Sequence, residues 1–135
     1  MAALEVLYTG DYQTQSIHPS GNSSITTQAH LQDGELAQAY SPMQVLCVAA
    51  ATCVMSTIGV VAHVHNFSVA GMKAQVSYEL TEKPLRLKKL FLEIDLRGRE
   101  FSPKEKKFLE LATQECPVIR SLSADVEKKV SLLFA

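Results

Sequence analysis

The stretch Ser41–Ala62, SPMQVLCVAAATCVMSTIGVVA, decides the fold. Ser41 suits a helix N-cap, Pro42 the first helical position, and Gln44, three residues after the serine, can close a capping box. From Val45 to Ala62 the residues are apolar on nearly every face. Such a helix is either buried all round or spans a membrane. Thr52, Ser56, Thr57 and Gly59 interrupt it and no lysine or arginine flanks it closely, so the buried reading is preferred and no membrane partner is expected. A chain of 135 residues has too little material to cover a long helix on every side. A second copy of the chain is the simplest cover, so a homodimer is expected.

Upstream, Leu4, Val6 and Tyr8 alternate with other residues, Asp11–Ile17 is a polar β-compatible run, and His18-Pro19-Ser20-Gly21-Asn22 is a turn cluster. Ser23–His30 alternates again and Gln32-Asp33-Gly34 closes it. This reads as a half-exposed meander or hairpin. Downstream, Ala74, Val76, Tyr78 and Leu80 line one face of a strand, and Leu90, Leu92, Ile94 and Leu96 one face of another. Glu82-Lys83-Pro84 connects them as an antiparallel pair. Ser102-Pro103-Lys104-Glu105 opens a capped helix that ends near Glu115, with Phe108, Leu109, Leu111 and Ala112 inward. Pro117 starts a short helix with Cys116 at or near its N-cap, and Val126–Phe134 is a last strand. The order is α+β, without regular βαβ alternation, in one domain spanning 1–135.

Apolar residues make up 47% of the chain and the net charge is −1 with dispersed lysine and arginine, so nucleic acid is not an expected partner. No signal peptide is read at the start, and three cysteines point to a reducing, cytoplasmic setting. No cysteine and histidine spacing fits a metal site; His63 and His65 suit a helix C-terminus, and His18 and His30 fall at a turn and a strand end.

Two thiols invite chemistry. Cys116, at a helix N-terminus with Arg120 four residues on, is placed where backbone N–H groups and positive charge favour thiolate. Cys53 lies mid-helix, where a cysteine is commonly a small buried hydrophobe. Cys47 lies ~240° round the helix from Cys53 and is assigned to packing.

The Ala-rich helix after Ser41-Pro42, with Val48-Ala49-Ala50-Ala51-Thr52-Cys53 at its centre, resembles the OsmC/Ohr family, as does Cys116-Pro117-Val118-Ile119-Arg120-Ser121-Leu122-Ser123. Tyr8-Thr9-Gly10 and the His18…Ser20-Gly21 turn are similar to one OsmC-like subgroup. The resemblance implies antiparallel sheets around a long buried central helix, in an intertwined homodimer. It also implies a thiol peroxidase that reduces organic hydroperoxides in oxidative-stress defence. Cys53 would attack the peroxide and become a sulfenic acid; Cys116 would resolve it as a disulfide. An external dithiol, often a lipoylated protein in this family, would reset the pair, with no bound cofactor or metal.

The chain departs from the family pattern at one point. Family peroxidases hold the attacking thiolate with an N-terminal-region arginine, oriented by a carboxylate just after the helix-opening proline. Here Met43 and Gln44 follow Pro42, no arginine precedes Arg86, and Gln13 stands where the subgroup's arginine falls. Both charges are absent together, as expected where keeping one alone is costly. Gln13 and Gln44 then remain as neutral groups around the thiolate, with Arg120 as a substitute cation, and slower turnover or a different substrate is expected. The competing readings are a non-catalytic binder of an apolar ligand and a disulfide-based redox sensor.

Overall fold

The structure is a computed structural model, and it describes residues 3–29 and 37–135. The elements run β1 (Leu7–Gly10), β2 (Gln13–Ile17), β3 (Ser24–Gln28), α1 (Pro42–Val64), β4 (Lys73–Glu82), β5 (Leu85–Asp95), α2 (Pro103–Ala112), α3 (Pro117–Ser121) and β6 (Glu127–Leu133). The architecture is α+β, with two three-stranded sheets ordered β1-β2-β3 and β4-β5-β6. The chain forms two compact units, Met1–Leu46 and Cys47–Ala135.

In the first unit β1, β2 and β3 make the expected antiparallel meander. The β1–β2 turn has φ of 53° at Asp11 and 62° at Tyr12. A type I′ hairpin turn has φ > 0 at both positions, and its twist matches that of the strands. Aspartate tolerates this better than tyrosine, and the Tyr12 N–H donates to the Tyr8 hydroxyl across the turn (3.2 Å). The Thr14 and Thr27 hydroxyls bond each other between β2 and β3. β1 starts at Leu7, later than the alternation from Leu4 suggests. His30 and Gln32-Asp33-Gly34 lie outside the described residues. The capping box of α1 is present: the Gln44 N–H donates to Ser41 Oγ (3.1 Å) and the Ser41 N–H to Gln44 Oε1 (2.9 Å).

In the second unit, the buried stripe of α1 is Cys47, Ala50, Ala51, Val54, Ile58 and Ala62, which follows the helical repeat. The β4-β5-β6 core is carried by Leu90, Leu92 and Ile94, all almost fully buried. β4 and β5 pair antiparallel, as expected, but β5 begins five residues before Leu90. The cause is a bulge. Glu79 pairs with Lys89 while the next residue, Leu80, pairs with Leu87, so β5 carries one extra residue there. An extra residue reverses the inward–outward phase, which hides Leu85 and Leu87 from an alternation read back from Leu90. β6 pairs parallel to β5, a geometry that needs a crossover, supplied by the segment carrying α2 and α3.

The α2 capping box closes as read: the Glu105 N–H donates to Ser102 Oγ (3.1 Å) and the Ser102 N–H to Glu105 Oε1 (2.8 Å). α2 buries Leu109 and Ala112, whereas Leu111 is 53% exposed, against the expectation. Two positions along a helix are roughly 200° apart, so Leu109 and Leu111 cannot share a face. The helix ends at Ala112, short of Glu115, and turn bonds from the Gln114 and Glu115 N–H groups continue beyond it.

At the end of β5, the Asp95 carboxylate accepts from the Arg97 backbone N–H (2.9 Å), Nε (3.0 Å) and Nη2 (2.8 Å). The side-chain and backbone bonds from Arg97 hold its pKa down to about 2, from an ordinary value of 3.8. A lowered carboxyl pKa contributes stability that is complete above the ordinary value and lost as pH falls through the lowered one. Chemical denaturation of wild type and Asp95→Asn should therefore differ by a constant amount at neutral pH. The difference should shrink between about pH 4 and about pH 2.

Candidate functional site

Cys53 and Cys116 both belong to the second unit and come within hydrogen-bonding reach of one another. Cys53 is half-buried at mid-helix in α1, where its own carbonyl accepts from Thr57 Oγ1 (2.9 Å). Cys116 is fully buried at the N-cap of α3. Its sulfur accepts from the Ile119 N–H (3.3 Å), and its S–H lies 4.0 Å from the Ala50 carbonyl. Pro117 at the first helical position sets the turn that presents those amides.

The electrostatics of Cys116 run opposite to the local sequence reading. Burial pushes its thiol up first, and its hydrogen bond to Cys53 pushes further the same way; the Ile119 and Val118 N–H groups pull down but lose. Desolvation of a thiolate outweighs two amide donors here. Cys116 is therefore a protonated thiol beside Cys53, not a pre-activated nucleophile. Arg120, the expected cation near it, pairs with Glu115 (3.6 Å), both side chains being well exposed. Cys47 is buried on the core stripe, away from Cys53, and burial alone pushes its thiol up.

Gln13 and Gln44 lie in the first unit. Gln13 is a half-buried residue of β2, and the Gln44 side chain is engaged in the α1 capping box. His65 stacks on Phe108, ring centroids 3.6 Å apart, and His18 Nδ1 bonds Ser20 Oγ (2.9 Å) in its turn. Among the described residues, no three His, Cys, Asp or Glu side chains gather as a metal-ligand set. The Ala50 carbonyl and the Thr57 bond escaped the sequence reading. A threonine four residues after a cysteine on a helix is the one signal that could have revealed the latter.

Comparison with known proteins bears on the family and the fold. A family model described as OsmC-like protein matches residues 32–131. A Psychrobacter arcticus protein described as an osmotic-stress-induced and detoxification-response protein superposes with a TM-score of 0.89 at 28% identity, covering 98% of this chain and 96% of that one. An organic hydroperoxide resistance protein OsmC from Legionella pneumophila superposes at 0.69 with 21% identity, covering 98% and 97%. An organic hydroperoxide resistance protein from Elizabethkingia anophelis superposes at 0.68 with 16% identity, covering 100% and 98%. At those last two identities the likeness is one of fold. No curated protein matches the sequence. With a family model matched over most of its length and this fold throughout, the chain belongs to the OsmC-like protein family.

Proposed function

We propose that the chain reduces organic hydroperoxides with its own thiols, Cys53 attacking and Cys116 resolving. The observation that carries this reading is the thiol pair itself: a half-buried cysteine on a rigid helix, with a buried, protonated cysteine in hydrogen-bonding reach. The Cys53 thiolate takes the terminal oxygen of ROOH, becoming a sulfenic acid and releasing ROH after protonation. The Cys116 sulfur then attacks the sulfenic sulfur, and water leaves as the disulfide forms. An external dithiol returns both sulfurs to thiols. The test is a thiol count by intact mass after one equivalent of an organic hydroperoxide, beside the same dose of hydrogen peroxide. Two thiols lost within seconds, faster with the organic peroxide, is the expected result; two thiols intact after many minutes would overturn the reading.

Binding of an apolar ligand without turnover is the second reading. It is favoured by the pairing of Arg120 with Glu115 (3.6 Å), which takes up the charge expected beside Cys116. Prolonged survival of both thiols would select it.

We further propose that the working unit is a homodimer. Val60 and Val64 on α1 are 64% and 65% exposed in the single chain, an apolar face on the helix that carries Cys53. A second copy would remove it from water at about 25 cal/mol per Å². Light scattering should give twice the chain mass, and Val60→Lys should shift it toward one chain.

A further inference from the structure

We propose that formation of the Cys53–Cys116 disulfide releases the cap of α3, so that this helix is ordered while the thiols are reduced and loosened once they are joined. The proposal deepens the redox-pair reading above and rests on it. In the step concerned, the Cys116 sulfur bonds to the Cys53 sulfur as the S–O bond of the sulfenic acid breaks. The oxygen leaves as water, taking the Cys116 proton with it.

In the reduced protein the Cys116 sulfur makes two contacts. It accepts from the Ile119 N–H (3.3 Å) as the side chain that caps α3, and its S–H is directed at the Ala50 carbonyl of α1 (4.0 Å). The amide hydrogen meets a sulfur lone pair, while the S–H points elsewhere, toward α1. Oxidation removes that S–H, so the contact with Ala50 ends outright. A covalent S–S bond is also far shorter than the contact between two hydrogen-bonded sulfurs. Closing it draws the Cys116 sulfur toward α1 and away from the amide.

The two helices share this movement unequally. Cys53 stands in the middle of a 23-residue helix, with intrahelical bonds on both sides of it. α3 is only five residues long, and Pro117 brings it no N–H. Its other bonds run from the Arg120 N–H to the Cys116 carbonyl (3.1 Å), from the Leu122 N–H to the Ile119 carbonyl (3.2 Å) and from Ser121 Oγ to the Pro117 carbonyl (2.8 Å). All of them stay within residues 116–122. One turn does not hold itself, because nucleation fixes several dihedrals for each bond gained. Taking away the cap therefore shifts α3 toward frayed conformations in which the Ile119 N–H bonds water. The cap is a contact within one chain and does not depend on what covers α1 in a dimer. Reduction by an external dithiol, itself oxidised to a disulfide, restores the thiol, and the cap closes again. The oxidation state of the pair is thereby written into the backbone of α3.

Hydrogen–deuterium exchange reads this directly. Wild-type protein is prepared reduced and oxidised by diamide, with the loss of two thiols shown by intact mass and the Cys53–Cys116 link by peptide mapping. Both forms are labelled alike, and a phosphine in the acid quench frees the peptides for pepsin digestion. Amides of α3 should exchange roughly five- to tenfold faster in the oxidised protein, the effect of losing a side-chain cap, while those of α2 keep their rates. A cross-link ordinarily restrains the segments it joins, so equal or slower exchange in α3 would overturn the release. Equal acceleration in α2 would mark a general loosening and overturn it too. Cys116→Ser keeps a capping oxygen but cannot form the link, so diamide should leave its α3 exchange unchanged; acceleration there would assign the effect to the oxidant and sink the proposal. Failure of diamide to join Cys53 and Cys116 in wild type would overturn the pair itself, and this proposal with it.

Discussion

Replacing Cys53 by serine should lower hydroperoxide turnover at least about a hundredfold, because a hydroxyl at neutral pH supplies almost no anion to attack the peroxide oxygen. Replacing Cys116 by serine should act differently. Cys116 sits against Cys53 as a neighbour that burial keeps protonated despite the Ile119 N–H, so its loss removes the resolving step and leaves the first attack in place. One oxygen should then be found on Cys53 after a single equivalent of peroxide, with no disulfide and no second turnover. Serine at 116 keeps a capping oxygen for the Ile119 N–H, so α3 is retained and the phenotype reports chemistry. Peroxide consumption followed beside intact mass separates the two variants. Equal turnover by wild type and Cys53→Ser would dismiss Cys53 as the attacking group.

The largest stability effect is expected at Ile94. It is 0% exposed on β5, the central strand of its sheet, between Ala74 on β4 and Leu132 on β6. Truncation to alanine removes buried methyl and methylene groups and leaves a cavity that two hydrogen-bonded neighbours keep from collapsing, at a cost of about 2–5 kcal/mol. Urea denaturation should show the midpoint lowered by that free energy divided by the slope, with the slope unchanged. Leu111→Ala is the control: at 53% exposure it should cost less than about 0.5 kcal/mol, the range of ordinary surface substitutions.

How much of this was legible in the sequence follows from the range of each force. Capping is local, so Ser41/Gln44 and Ser102/Glu105 were readable from spacing alone, and both boxes close in the structure. The N-cap position of Cys116 was readable for the same reason. Its protonation was not. Burial and the approach of Cys53 come from residues more than sixty positions away, and they outweigh the amides that a local reading can count. The start of β5 was hidden by a bulge whose second strand lies in β4, and the direction of β6 by a crossover that no turn signal marks. Leu111 was misassigned by counting apolar residues on α2 without applying the helical angle to each.

The two pairings made by β5 also set an order in time. β4 and β5 are joined by a connection of two residues, Lys83 and Pro84, so their registry closes one short loop after another at small entropic cost. β6 reaches β5 only after the segment 96–126 has been gathered, a much longer closure whose partner contacts are rewarded late. Unit 2 is thus expected to assemble from a hairpin outward, and pulse-labelled hydrogen exchange should protect β4 and β5 before β6. Since Cys116 lies inside that segment, the thiol pair is expected to form late in folding. Until then Cys53 and Cys116 behave as two unrelated cysteines.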